Sequence, residues 1–295
     1  MAKQALCVQS YEQLSNLVQK NIDFVEANLI DREICENPEN GHQQLIPYVS
    51  FYATDFEAGK LMFIQYQRKD QGEGDERIAG KTSIGFGGHI DSIDDIVAEE
   101  IITNEDGTQT FKMSLANLIE TGYKTAYREV KEELGLDLQA MGLSLEDSDT
   151  AFFTGDLAEE VNRVHLGLSI QKEVTVEQFN ELKEKAQYQP EEIQALDVLG
   201  INLDVIVEEM DLSRTLDKVT CDLVENRGLE DWSSKIFNYV TLKEINRLLS
   251  VVEYKDLVMI AKVKISEAQR KAQREQEEAA KQEASTEESV EVDQA

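Results

Sequence analysis

In the first 43 residues the apolar positions Tyr11, Leu14, Leu17, Val18, Ile22 and Val25 recur roughly as one helical face, in a polar stretch whose sole glycine is Gly41. The spacing predicts a helical extension over 1–43. From Leu45 the pattern shortens to β-type runs at 45–52, 60–67 and 81–86, parted by loops such as Lys69-Asp-Gln-Gly-Glu-Gly-Asp-Glu. The third run closes on Gly85-Phe-Gly-Gly-His89. Residues 91–100 suggest a short helix, and 101–113 a hairpin turning at Asn104-Glu-Asp-Gly107. A longer helix over 115–134 stops at Gly135, a good C-terminal cap residue. Strands are expected at 150–154 and 163–170, and helices at 176–187, 191–199 and 214–226. From about residue 242 a helix runs into the Gln/Glu/Lys/Ala-rich 266–295, which has too little hydrophobic surface to order its end.

Composition narrows the function. With 295 residues, 41% of them hydrophobic, there is core material for one large domain or two smaller ones. The formal net charge is −30. Acid on that scale repels phosphate backbones and anionic lipid, which counts against direct nucleic-acid binding and membrane-surface attachment. A small anionic ligand would need a metal between itself and the protein. Residues 266–295 hold four basic and nine acidic side chains, so most of the excess lies on the folded body. No apolar run nears the roughly 18 residues of a membrane span, and the N-terminus lacks the apolar stretch of a signal peptide. The expectation is a soluble cytoplasmic protein. Cys7, Cys35 and Cys221 are far apart, odd in number and in no CxxC spacing, so they read as reduced, buried thiols rather than a disulfide framework or thiolate metal site.

The helix over 115–134 carries the chemistry. At about 100° per residue, Glu129, Glu132 and Glu133 fall within an arc of about 100°. Oxygen ligands on one face suit Mg²⁺ or Mn²⁺, and an ion that keeps some of its waters can bridge to substrate phosphates. Tyr123, Tyr127, Val130 and Leu134 share a neighbouring face that can pack on a sheet. Gly122, Thr125 and Ala126, one turn upstream of the carboxylates, either leave room for a ligand or serve helix packing. Taken alone, three helical glutamates are more often a solvated face.

The order of the surrounding residues outweighs that reading. Glu120, seven residues, then Arg128-Glu129-Val-Lys-Glu132-Glu133-Leu-Gly135-Leu136 resembles the latter part of the Nudix box, G-x5-E-x7-R-E-U-x-E-E-x-G-U with U aliphatic. The chain departs from the box at its start, where Ser114 stands in place of glycine. Gly87-Gly88 is then the displaced glycine pair, with 31 residues (89–119) where the box has five, an insertion of 26. Further segments, Gln44-Leu-Ile-Pro-Tyr-Val, Ile84-Gly-Phe-Gly-Gly-His-Ile, Arg163-Val-His-Leu-Gly and Leu229-Glu-Asp-Trp-Ser-Ser, resemble a branch of that family loosely described as phosphoesterases, over about 44–240. There is no GxxxxGK[ST] or GxGxxG phosphate loop.

The resemblance implies an α/β fold, the Nudix α/β/α sandwich with a mixed sheet. It divides the chain into a helical N-terminal extension (1–43), a hydrolase domain (44–240, insertion about 89–119) and a C-terminal helix with an acidic tail (241–295). It implies Mg²⁺- or Mn²⁺-dependent hydrolysis of the pyrophosphate bond in a nucleoside diphosphate linked to another group, ADP-ribose or a similar small nucleotide. By position, Glu132 and Glu133 resemble the main metal ligands, Glu129 a further ligand or the base, and the Gly88 carbonyl an extra ligand. Arg128 would steady a glutamate, with Glu120 as its partner. Glu159 and Glu160 are loop candidates for the base or for substrate binding, His89 could touch substrate phosphate, and His165 reads more as a satisfied strand histidine. Trp232, Phe86, Phe152 and Phe153 could stack on a base but more often belong to a core. The rivals are a non-catalytic nucleotide-sensing or docking module of the same fold, an acidic protein that mimics nucleic acid toward a basic partner, and an isomerase, which the lack of a cysteine near the box weakens. The partner of the acidic tail is not legible.

Overall fold

A computed structural model describes residues 3–69, 78–155, 157–158, 160–188, 193–203 and 212–250. In chain order its elements are β1 (Gln4–Val8), α1 (Tyr11–Val18), β2 (Val25–Asp31), α2 (Arg32–Cys35), β3 (Gln43–Asp55), β4 (Lys60–Arg68), β5 (Thr82–Ser83), β6 (Glu100–Thr103) and β7 (Gln109–Met113). Then come α3 (Leu115–Leu134), β8 (Asp149–Phe153), α4 (Glu160–Val164), β9 (His165–Glu173), α5 (Val176–Lys185), β10 (Ile193–Asn202), α6 (Leu212–Arg227) and α7 (Asp231–Ser250), with 3-10 turns at Pro38–Asn40 and Ile93–Asp95.

The strands form one mixed sheet whose main path runs β10-β4-β3-β1-β2-β7-β6, with β5 on β4, β9 on β3 and β8 on β9. Strand β3 is its centre. It pairs with β1 at its start, with β4 at its end, and in parallel with β9 from Gln44 opposite His165 to Tyr52 opposite Glu173. Because side chains alternate along a strand, β3 feeds two cores. Val49, Phe51 and Ala53 pack with α3, α5 and α1, whereas Tyr48 and Tyr52 pack with α6 and α7. The fold is therefore mixed α/β, with helices on both faces of the sheet.

Local chemistry sets the bounds of α3. The Ser114 hydroxyl accepts the Asn117 N–H while the Asn117 side chain accepts the Ser114 N–H, a reciprocal cap, and Gly135 ends the helix at φ +67°. The serine found where the box asks for glycine is thus a helix cap. The hairpin of β6 and β7 also forms as expected, with Gly107 at φ +83° in its turn.

Three expectations give way to non-local pairing. The segment 1–43 is not a helical extension: α1 takes up its helical spacing, but β1 and β2 lie inside the sheet between β3 and β7. Ala5, Leu6, Cys7 and Val8 are all buried there. The expected helix at 191–199 is, from Ile193 on, strand β10, held along the edge of β4 from Ile193 to Asn202, while 191 and 192 lie outside the described residues. The run at 81–86 shrinks to Thr82–Ser83 plus a bridge between Phe86 and Val49. Residues 91–100 give only the 3-10 turn Ile93–Asp95, and β9 starts at His165, leaving Arg163 in α4. The C-terminal helix begins at Asp231 rather than near 242, and 251–295, the acidic tail included, lie outside the described residues. No described helix is long and apolar enough to cross a membrane.

Of the three free thiols, Cys7 and Cys35 are buried as expected and Cys221 is not. Cys7 and Cys35, though far apart in sequence, are buried with their sulfurs 3.0 Å apart, where β1 runs beside β2 and α2. Burial pushes both thiols up, so they resist ionisation. Cys221, expected to be buried, is exposed.

Candidate active site

Close packing of three backbones builds the site. The loop after β5 passes between β3 and α3 with no room for a side chain at Gly87 or Gly88. A Cβ on Gly87 would stand 1.9 Å from the Pro47 carbonyl oxygen, and one on Gly88 would stand 2.4 Å from Glu129 Oε2. The Gly-Gly pair therefore lets the Glu129 carboxylate lie directly against the loop backbone. On the sheet side of α3, Gly122 meets Leu168 of β9, and Ala126, Val130 and Leu134 are fully buried. Helix packing, rather than space for a ligand, accounts for the small residues upstream of the carboxylates.

Arg128 organises the acidic groups. Its Nη1 meets Glu129 Oε1 at 2.6 Å and Glu132 Oε2 at 3.2 Å, its Nε meets Asp95 Oδ2 at 2.9 Å, and its Nη2 meets Asp91 Oδ1 at 3.1 Å. The same Nη2 donates to the His89 carbonyl at 3.0 Å, and Thr125 donates its hydroxyl to Asp95. One guanidinium thus faces four carboxylates. Burial works against the charge on Arg128, but Glu129, Asp95 and Asp91 more than offset it and its pKa is raised. Glu129, 13% exposed, is pushed up to about 7 by burial. Arg128 pulls that value down, whereas the charges of Glu132 and Asp91 add to the rise. Such a carboxyl exchanges its proton near neutrality.

Glu120 does not partner Arg128, and the reason is geometric. Helix α3 begins five residues before Glu120, so eight helical residues separate the two side chains, about 12 Å along the axis. Glu120 is exposed. Asp95, seven residues beyond Gly88, supplies the acid instead. The residues that sequence reasoning missed, Asp91 and Asp95, were signalled by acidic positions shortly after the glycine pair. Segment 89–95 accordingly stays at the site, whereas the β6–β7 hairpin extends the sheet from β2.

Glu129, Glu132 and Glu133 offer only oxygens, a donor set that fits a hard cation. Glu129 and Glu132 converge on Arg128, Glu132 being 54% exposed. Glu133 lies on the inner side of the cluster, with its Oε2 shielded from solvent, close enough to Tyr66 and Arg68 to raise the pKa of both.

His89 and His165 come together with their rings 5.6 Å apart. With Glu36 they bring three potential ligand atoms within 4.8 Å of one another, the group among the described residues that does so. Trp232 donates Nε1–H to Asn162 and packs edge-on against Phe153 and Tyr48. Phe86 stacks on Tyr66 in the core, and Phe152 packs against it partly buried. Glu160 begins α4, but its side chain, like the whole of Glu159, lies outside the described residues.

No family model matches the chain, and no curated protein does. Among solved structures, it is similar to a MutT/nudix family protein from Enterococcus faecalis, with a TM-score of 0.32 and 12% identity over 54% of this chain. The match spans 44% of that protein's length. A mutT/nudix family protein from Listeria innocua aligns with a TM-score of 0.30 and 14% identity, over 62% of this chain and 94% of the other.

Proposed function

We propose that the chain is a divalent-metal-dependent hydrolase that cleaves the pyrophosphate bond of a nucleoside diphosphate linked to another group, with Mg²⁺ or Mn²⁺ as its ion and a small cytoplasmic nucleotide as its substrate. The observation that carries this reading is the Glu129 carboxylate, pressed between the Gly88 backbone and Arg128 and pushed up to about 7. Glu132, Glu133 and Glu129, with the Gly88 carbonyl, would hold the ion. When bound, it neutralises pyrophosphate charge and acidifies a water. Arg128 steadies Glu129 and Glu132 through charge-assisted bonds, and Asp95 with Thr125 fixes Arg128 in turn. If it does not ligate the ion, Glu129 would serve instead as the base that takes a proton from water. His89 and Glu160 are the candidates for contacts to substrate.

The test is nucleoside monophosphate release from a panel of nucleotides, including ADP-ribose, NAD, dinucleoside polyphosphates, dNTPs and nucleotide sugars, with Mg²⁺ or Mn²⁺. Glu132→Gln and Glu133→Gln should each lower kcat by about 10² or more, the usual effect of deleting one charge-stabilising group. Wild-type turnover in both variants would overturn the assignment. A sensing module is the second reading, because Arg128 already satisfies Glu129 and Glu132 without an ion. Metal-dependent nucleotide binding with no turnover on any compound would favour it.

A further inference from the structure

We propose that Glu36, His89 and His165 form a second metal site, for a first-row transition ion with Zn²⁺ foremost, chemically separate from the oxygen-only cluster around Arg128. The proposal does not rest on the hydrolase reading. The chain has only three histidines, His42, His89 and His165, and two of them converge on one carboxylate. They arrive from three distant places: Glu36 closes α2, His89 follows the Gly-Gly loop, and His165 opens β9. Chance pairing of scarce imidazoles is a poor account of that convergence in a chain so rich in acid.

The geometry is close to what such an ion needs. Zn²⁺ takes nitrogen and oxygen ligands at about 2.0–2.2 Å, which sets tetrahedral ligand atoms about 3.4 Å apart. His165 Nε2 and Glu36 Oε1 already stand 3.8 Å apart, and all three ligand atoms lie within 4.8 Å. Small side-chain rotations would close the triangle. The surroundings hold the ligands in place. Gln44, opposite His165 in the β3–β9 register, donates to Glu36 Oε1 at 3.4 Å, and Arg128 holds the His89 carbonyl. The Trp232 ring stands 6.4 Å from that of His165 and walls one side. His165 is buried, whereas Glu36 is 31% exposed, which leaves an approach for the ion.

The donor set also discriminates between metals. Imidazole suits Zn²⁺, Fe²⁺, Cu²⁺ and Ni²⁺, whereas Mg²⁺ prefers oxygen and water. Three protein ligands leave a fourth position for water or a ligand. His89 joins the two sites: its carbonyl is fixed to Arg128 while its ring belongs to the histidine cluster.

The test follows the histidine ring signals of the full chain by NMR while one equivalent of Zn²⁺ is added in a large excess of Mg²⁺, with His42 as the internal control, assigned through His42→Gln. The expected result is a stoichiometric shift of the His89 and His165 signals with His42 unmoved. His165→Asn and, separately, Glu36→Gln, each checked for an unchanged circular dichroism spectrum, should weaken Zn²⁺ binding by more than about tenfold, since even outer partners of a metal ligand are worth that much. Glu132→Gln should leave Zn²⁺ binding as it was. Absence of the two shifts at one equivalent, shifts that appear only together with that of His42, or wild-type Zn²⁺ affinity in His165→Asn and Glu36→Gln would overturn the site.

Discussion

Two arginine–carboxylate clusters in this molecule use the same groups to opposite ends. At the first, Arg128 faces Asp91, Asp95, Glu129 and Glu132 beside a half-open loop. At the second, Arg68 faces Glu230, which is almost wholly buried, while Tyr48, Ser83 and Ser233 bring their hydroxyls to the same carboxylate. In the second cluster Glu230 is paired to Arg68, which Glu133 also faces at longer range, and the bonding capacity of Glu230 is filled by hydroxyls from β3, β5 and α7. It ties helix α7 to the sheet. The first sets four carboxylates against one guanidinium, an excess of acid that a bound cation or a proton on Glu129 relieves. Carboxylates that crowd one cation at a partly open site mark a place for a ligand, whereas a buried carboxylate whose bonding capacity is filled marks a joint.

Breaking the joint should have the largest effect. Glu230→Ala leaves Arg68 largely buried without its carboxylate and strips three hydroxyls of an acceptor, so it should cost about 3–5 kcal/mol in urea unfolding. A loss under about 1 kcal/mol would refute the distinction between the two clusters.

The open cluster should show itself through pH. Glu129 has its folded pKa raised from 4.5 to about 7. The favourable contribution of its neutral form is therefore complete below pH 4.5 and is lost as pH rises through 7. In metal-free buffer the wild type should lose about 3 kcal/mol between pH 4.5 and 8 relative to Glu129→Gln. Parallel stability curves for the two proteins would contradict a destabilised, site-like carboxylate.

The smallest effect on stability with a large one on function is expected at the glycine pair. Gly88→Ala meets only the far end of the Glu129 side chain, which can swing aside, so it should cost under about 1 kcal/mol yet abolish metal-dependent nucleotide turnover or binding by displacing that carboxylate. Gly87→Ala meets the backbone oxygen of Pro47 at 1.9 Å and should destabilise the fold more than its neighbour does. The reverse order in thermal melts would show that the loop is positioned by something other than β3. Thiol labelling sharpens the picture further: Cys221 should react quickly with an aromatic disulfide reagent, and Cys7 and Cys35 only on unfolding.

What the sequence determined by itself are the features written within one turn or one hairpin. Ser114, Asn117 and Gly135 bound α3, Gly107 turns the β6–β7 hairpin, and the spacing of Arg128, Glu129 and Glu132 puts them within reach of one another. Each rests on groups no more than four residues apart, so the chain needs no distant partner to form it. Tertiary structure alone decided the rest. Strand β10 carries a helical spacing that pairing with β4 overrides, and β1 and β2 are strands because β3 and β7 lie ready to bond them. Arg128 takes Asp95 rather than Glu120 because the helix carries the glutamate away while the loop brings the aspartate near. The Cys7–Cys35 contact and the Glu36, His89 and His165 triangle exist only where separate elements cross. Contacts of that kind depend on how strands choose partners across the whole sheet, information spread over the chain rather than held in any segment of it.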